Sequence, residues 1–161
     1  MRRVLLISFM CLALHAHPAL SAQQPDDIFR PLPAATQKEF DRQRAYVSSL
    51  VAKHLPAKKL TQTKADFEIL QSLVDLRVVP KDKTWELQAL GVVFSDALAG
   101  TIPGLAWAEV TDKYGTDPTL RYNATSVQVN ALDMIAKRVR NGDKVDIAAL
   151  AAWVERSVSE E

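Results

Sequence analysis

Residues 90–122 read LGVVFSDALAGTIPGLAWAEVTDKYGTDPTLRY, and within them the hydrophobic period changes. Up to Pro103-Gly104 the apolar residues recur at helical spacing, and beyond it the side chains of 105–110 alternate between two sides. A repeat of three to four residues is typical of a helix, whereas alternation is typical of a β-strand. The stretch therefore predicts a helix, a break and a strand.

Two more short strands are predicted after this one, at residues 120–122 and 126–129. The segment from Asp112 to Pro118 separates the first two, and its glycine and Asp-Pro pair are typical of turns. Three strands in sequence, joined by short connections, favour an antiparallel meander.

Helical patterns flank the strands on both sides. The two before residue 84 each open with a threonine and an acidic residue three positions later, and each closes at a proline, giving Thr36/Glu39 to Pro56 and Thr63/Asp66 to Pro80. The third begins near Thr84. Two more follow the strands, one capped by Asn130 or a neighbour and stopped by Gly142, and one starting near Asp146.

These patterns together predict the fold class. It is α+β, with a small three-stranded antiparallel sheet packed by about five helices in a single domain. In the third helix Gly91, Ser95 and Ala99 recur every four residues and form a strip without bulk, which favours close packing over a ligand groove. The stretch from 90 to 108 is interrupted by Asp96 and Pro103-Gly104, so we interpret it as core and not as a membrane span.

The first residues have the three-part order of a secretory signal. A positive start at Met1-Arg2-Arg3 precedes an apolar run over 4–14 and a small-residue exit over 18–22. We expect cleavage after Ser21 or Ala22, so that residues 1–22 are a signal peptide. Residues 23–35 are then a proline-rich lead-in and 36–161 the domain, which we expect to be periplasmic or secreted.

Cleavage would also limit the chemistry of the remaining chain. It removes Cys11 and two of the three histidines, and leaves 18 basic and 19 acidic residues, a net charge of about −1. A disulfide, a thiol nucleophile and a multi-histidine metal site are then excluded within one chain. The balance also disfavours nucleic-acid or anionic-membrane partners. We expect no metal and no cofactor, and a partly buried structural role for His54.

The candidate site residues lie in and after the predicted turn. Four of them could carry acid–base chemistry as a small hydrolase does, namely Glu109, Asp112, Asp117 and Arg121. The alternative is that the acids only shape a turn and the arginine holds the loop. A calcium loop is disfavoured because too few acids stand in register. Candidate binding residues are Tyr114, Arg121, Lys137 and Arg138, although positive charge at a helix end has a local role as well.

Several of these residues also carry a family resemblance. The runs 90–98, 112–121 and 134–138, with Trp107 between the first two, are similar to a bacterial family of domains of unknown function numbered 3806, over about residues 87–145. Two positions depart from its pattern: Ser95 stands for a second glycine, and Asn130 for a proline before the fourth helix. The resemblance implies a domain family without implying an activity.

The leading hypothesis is therefore a non-enzymatic binding or interaction module with a protein or small-molecule partner in the cell envelope. Its basis is that no complete catalytic set is visible in the sequence. A small hydrolase using the carboxylates of 109–121 is the alternative, and a purely structural role in the envelope is a third possibility.

Overall fold

A computed structural model describes residues 27–160, so the predicted signal peptide lies outside the described residues. Five α-helices, a 3₁₀ turn and four strands form within this part of the chain. In order they are β1 (Ile28–Arg30), α1 (Ala34–His54), α2 (Ala65–Asp75), α3 (Thr84–Thr101), β2 (Leu105–Asp112), β3 (Gly115–Tyr122), β4 (Gln128–Val129), the 3₁₀ turn (Ala131–Asp133), α4 (Met134–Asn141) and α5 (Ile147–Ser159).

The α+β class is confirmed, but the strand number is wrong. The described sheet has four antiparallel strands in the order β1-β2-β3-β4, and the extra strand comes from the predicted lead-in. Ile28 pairs with Thr111 and Arg30 with Glu109. A three-residue strand next to Pro31 is too short to show alternation, and its partner is far along the chain. Local sequence therefore gave no signal for it.

The central hairpin is longer than predicted. β2 and β3 pair over all eight residues, from Leu105 with Tyr122 to Asp112 with Gly115, so only two residues form the loop. Pro118 lies inside β3, where a proline is tolerated because β4 pairs only with Leu120 and Arg121 and leaves this part of the strand on an edge.

The helix starts differ from the predicted caps. α1 begins before Thr36, and its N-cap Pro33 makes no side-chain hydrogen bond, so the predicted capping box at Thr36 and Glu39 is wrong. At α2, the buried Asp66 accepts hydrogen bonds from the backbone amides of Thr61 and Gln62, at 2.9 and 2.8 Å. Asp66 therefore stabilises the start of α2, but its partners are backbone amides that precede the helix by about one turn.

The core lies between α3, the other helices and one face of the sheet. α3 is buried at almost every position from Leu87 to Leu98, whereas Leu105, Leu120 and Val129 supply the sheet side. The interpretation of this stretch as core is confirmed. None of the helices that the structure describes is both long and apolar enough to cross a membrane.

The small-residue strip on α3 is a packing surface, as predicted. A Cβ on Gly91 would lie 1.9 Å from the backbone oxygen of Leu132 in the 3₁₀ turn. Ser95 donates its hydroxyl proton to the carbonyl oxygen of Gly91 at 2.8 Å, within the same helix. The strip brings the 3₁₀ turn against α3 with no side chain between the two backbones.

The predicted end of α4 and start of α5 are confirmed, but the predicted cap at the start of α4 is wrong. Gly142 ends α4 in the left-handed region at φ 75°, and the Asp146 carboxylate caps α5 by accepting from the amide of Ala149 at 2.9 Å. Asn130 makes no side-chain cap and instead accepts from the Thr119 hydroxyl at 3.0 Å. His54 is exposed at the end of α1, so its predicted partial burial is wrong.

Candidate functional site

Two of the hairpin carboxylates face opposite sides of the sheet. Glu109 stands opposite Pro118, and Asp117 stands opposite Val110. Directly opposed residues share a face and neighbouring residues alternate, so Glu109 and Asp117 point away from each other across the sheet. The strand register does not bring them to one reaction centre.

The third carboxylate holds the tip of the hairpin. Oδ1 of Asp112 accepts from the backbone amides of Tyr114 at 2.7 Å and Gly115 at 3.1 Å, the pattern of an Asx turn. Tyr114 is 83% exposed at this tip, and the Lys113 ammonium lies 5.0 Å from the centre of its ring. This geometry accounts for Asp112 as a turn residue and leaves Tyr114 open to solvent.

Arg121 holds a loop and covers β1, and no carboxylate of the described residues pairs with it. Its guanidinium donates to the carbonyl oxygens of Ala124 at 2.5 Å and Thr125 at 2.6 Å. The same group lies 4.1 Å from the ring centre of Phe29, close enough for a cation–π contact. Arg121 therefore ties the 123–125 turn and the edge strand to β3.

The two basic candidates on α4 differ in their surroundings. The Arg138 guanidinium donates to the carbonyl oxygen of Met134 at 2.9 Å, one turn back in its own helix. Lys137 is exposed on the wall of a cleft described below. Arg138 thus has the local helix-end role, and Lys137 is available to a ligand.

An ion pair that was not predicted from the sequence joins α1, α3 and β2 through a buried aspartate. Arg44 donates to the two oxygens of the Asp96 carboxylate, from Nε to Oδ2 at 2.7 Å and from Nη2 to Oδ1 at 2.9 Å. The indole Nε1 of Trp107 donates to Oδ1 of Asp96 at 2.9 Å. We call Arg44, Asp96 and Trp107 the central network. Its only sequence signal is an aspartate inside an apolar helix.

The electrostatics of the central network are those of a satisfied pair. The hydrogen bond from Arg44 to Asp96 raises the pKa of the guanidinium above its ordinary value, against the opposing effect of burial, and Asp41 adds a smaller contribution. Asp96 is 8% exposed, and the Phe40 ring lies 4.7 Å from the Trp107 ring. Both carboxylate oxygens are occupied, which fits a positioning role better than acid–base chemistry.

The larger cleft lies between α2, the 77–81 segment and the 142–146 segment, and has a volume of about 1020 Å³. Its inner end is formed by buried leucines, and its mouth carries exposed charges of both signs, among them Asp75, Arg77 and Lys144. An apolar interior with a few polar groups at the rim is typical of sites for small ligands.

One glutamine fixes the far wall of the larger cleft. The Gln71 amide donates to the carbonyl oxygen of Val145 at 3.1 Å and accepts from the amide of Ile147 at 2.9 Å. These two bonds connect α2 to the start of α5 across more than seventy residues of sequence. The cleft is therefore held in shape by hydrogen bonds that need no ligand.

The smaller cleft, of about 370 Å³, lies where α1, α3, β3 and α4 meet. Its lining includes acidic, aromatic and amide residues and one lysine. They include Glu39, Gln43, Trp85, Asp117, Asp133 and Lys137. Asp117 and Lys137, two of the predicted candidates, both border this cleft, whereas Glu109, Asp112 and Tyr114 do not line it. The strand register directs the Asp117 side chain to the sheet face opposite that of Pro118 and Trp107, so Asp117 and Lys137 do not form a pair.

The described residues do not offer a clustered metal site. Between residues 27 and 160, no group of three or more histidine, cysteine, aspartate and glutamate side chains is placed to hold an ion.

The fold and clefts define a class: a small α+β domain with two ligand-sized depressions and, in the described chain, dispersed hairpin carboxylates. The model of the family described as Domain of unknown function (DUF3806) matches residues 66–150, more than half of the chain. The chain belongs to this family. The match confirms the resemblance and extends it to include α2.

A solved structure has the same fold. A crystal structure from Bacteroides thetaiotaomicron VPI-5482 at 1.50 Å resolution superposes with a TM-score of 0.71 and 19% sequence identity. The alignment covers 83% of this chain and 49% of that one, so the present chain spans about half of that structure's length. At this identity the likeness concerns the fold alone. Comparison with curated proteins gives no match.

Proposed function

We propose that this protein is an exported, non-enzymatic binding module whose ligand occupies the larger cleft. The observation that carries the proposal is the combination of a leucine-lined interior with a charged rim. The Gln71 bonds support it further, because a cleft held open before binding requires little reorganisation when the ligand arrives.

The dispersed hairpin carboxylates favour binding over hydrolysis. Hydrolases that use two carboxylates need both on the same reacting bond. Glu109 and Asp117 leave the sheet on opposite faces, and Asp112 is engaged by turn amides. An amphiphilic small molecule, with an apolar body for the leucines and a charged end for the rim, is the ligand class that this cleft fits.

A pair of neighbouring alanines on α5 provides the test. Ala148 lines the larger cleft, whereas Ala149 is exposed outside it. The full chain would be screened by saturation-transfer NMR against a library of small aromatic and aliphatic acids and amines. We expect Ala148→Trp to abolish binding of the hits and Ala149→Trp to leave it unchanged. Hits that bind equally to Ala148→Trp, or a screen without hits, would refute the cleft as the site.

The export part of the proposal is supported by the sequence of residues 1–22. Expression of the full chain in a Gram-negative bacterium should yield, in the periplasmic fraction, a product that begins at Ala22 or Gln23. Arginine at Leu5 and Leu6 interrupts the apolar run. We expect this double substitution to retain the uncleaved chain in the cells. An uncleaved, cytoplasmic wild-type chain would contradict export.

A further inference from the structure

We infer that the smaller cleft binds a small molecule carrying a protonated primary amine. The inference concerns a site separate from the larger cleft, so either one can fail without the other. It begins from Gln43, which is 3% exposed, lines the smaller cleft, and has a side-chain oxygen with no hydrogen-bond partner among the described residues.

An unpaired buried acceptor is costly, and among the buried side-chain atoms of the described residues only Gln128 Oε1 shares this condition with Gln43 Oε1. Leaving such a group without a partner costs about 1–3 kcal/mol. Asp66, Ser95 and Thr119 are buried as well, and each has a hydrogen-bond partner. The Gln43 oxygen therefore lacks a hydrogen-bond donor, and an N–H group of a ligand in the smaller cleft supplies one.

The charges around the smaller cleft favour a cation as that donor. Glu39 already accepts from Trp85 Nε1 at 2.5 Å and from Arg42 at 2.8 Å. The carboxylate of Asp133, which also lines the cleft, has no hydrogen bond or ion pair within residues 27–160. Against these acids stands Lys137, so the lining has a negative balance.

The size and wall of the cleft restrict the cation further. A volume of about 370 Å³ is at the small end of ligand sites. Trp85 and Phe40 contribute aromatic surface, which attracts ammonium groups. Because the Gln43 oxygen needs an N–H donor, a primary ammonium satisfies it, whereas a quaternary ammonium has the same charge and no donor.

The experiment compares three probes with the same aliphatic chain: n-butylamine, n-butyltrimethylammonium and n-butanol. Binding to the full chain is followed through the indole N–H resonance of Trp85. We expect n-butylamine to bind about tenfold more tightly than either of the other two, because n-butyltrimethylammonium lacks a hydrogen-bond donor and n-butanol lacks the positive charge. Equal binding of the amine and the quaternary ion, or no binding of the amine, would overturn the inference.

Two variants identify the residues responsible. Gln43→Leu should weaken n-butylamine binding about tenfold while raising the melting temperature, since an unpaired buried acceptor is replaced by an apolar group. Asp133→Asn should weaken binding and reduce its salt dependence. Ala148→Trp, in the larger cleft, is the control and should bind the amine like the wild type. Undiminished binding in both Gln43→Leu and Asp133→Asn would also overturn the inference, and this measurement does not depend on the ligand of the larger cleft.

Discussion

At the scale of single residues, the Asp96 carboxylate connects α1 to α3 and β2. Its carboxylate receives two bonds from Arg44 and one from Trp107, so one side chain connects two helices and a strand. The sequence shows an aspartate in an apolar helix but gives no sign of the arginine 52 positions earlier that pairs with it. Such a partner is set by tertiary packing, which local periodicity does not contain.

Removing the charge of Asp96 should strongly destabilise the fold. Asp96→Asn replaces the buried carboxylate that pairs with Arg44 by a neutral amide, and we expect a loss of about 3 kcal/mol of unfolding free energy in urea denaturation. Asp41→Asn is the matched control, because that exposed carboxylate also bonds Arg44, and it should cost less than about 0.5 kcal/mol. Equal losses in the two variants would contradict a special role for the buried pair.

Tyr46 should make the fold sensitive to alkali. Burial raises the pKa of its phenol above the ordinary 10.0, and the nearby charge of Glu86 adds to the shift. The unfolded chain then ionises first, so this stability is fully present below about pH 10 and is lost as the pH rises through the folded-state pKa. Unfolding free energy measured from pH 9 to 11 should fall less steeply in Tyr46→Phe. Identical slopes would show that Tyr46 contributes nothing to the pH dependence of the unfolding free energy.

At the scale of elements, the sequence predicted correctly those helices whose hydrophobic pattern or terminal residue lies within the segment itself. The α5 pattern of Ile147, Leu150, Val154 and Val158 is buried as expected, and Gly142 stops α4. It failed for β1, whose three residues become a strand only by pairing with β2. Of the candidate site residues, Asp117 and Lys137 border the same cleft because of the tertiary arrangement of β3 and α4, which no spacing in the sequence shows.

The contact of α3 with the 3₁₀ turn gives a prediction at the element scale. Gly91→Ala places a methyl group 1.9 Å from the backbone oxygen of Leu132, so the turn must move. We expect about 3 kcal/mol of destabilisation by urea titration. Gly142→Asn is the control: no heavy atom lies near a Cβ there, and asparagine tolerates the left-handed φ of 75°. A fully stable Gly91→Ala variant would contradict the close approach.

At the scale of the whole molecule, the buried core extends beyond the residues of the family match. Residues 66–150 exclude α1, which buries Phe40, Val47 and Val51 and supplies Arg44 to the central network. They also exclude most of α5, with Val154 and Val158. The sequence-based domain of 36–161 contains these helices but omits β1.

A fragment of residues 66–150 should therefore not fold by itself. Without α1, the core side of α3 and the Asp96 carboxylate are exposed to water, and the remaining apolar burial is too small. Calorimetry of this fragment should show no cooperative unfolding transition, whereas residues 27–160 should show one. A sharp transition in the shorter fragment would mean that folding does not require α1 and most of α5.

The position of β1 has a consequence for how the chain is made. β1 is synthesised about eighty residues before its partner in β2, since Phe29 pairs with Val110. Until β2 and β3 have formed, Phe29 has neither a strand beside it nor the Arg121 guanidinium over its ring. The sheet is thus completed by a segment that is made before the other three strands and has no pairing partner until β2 exists.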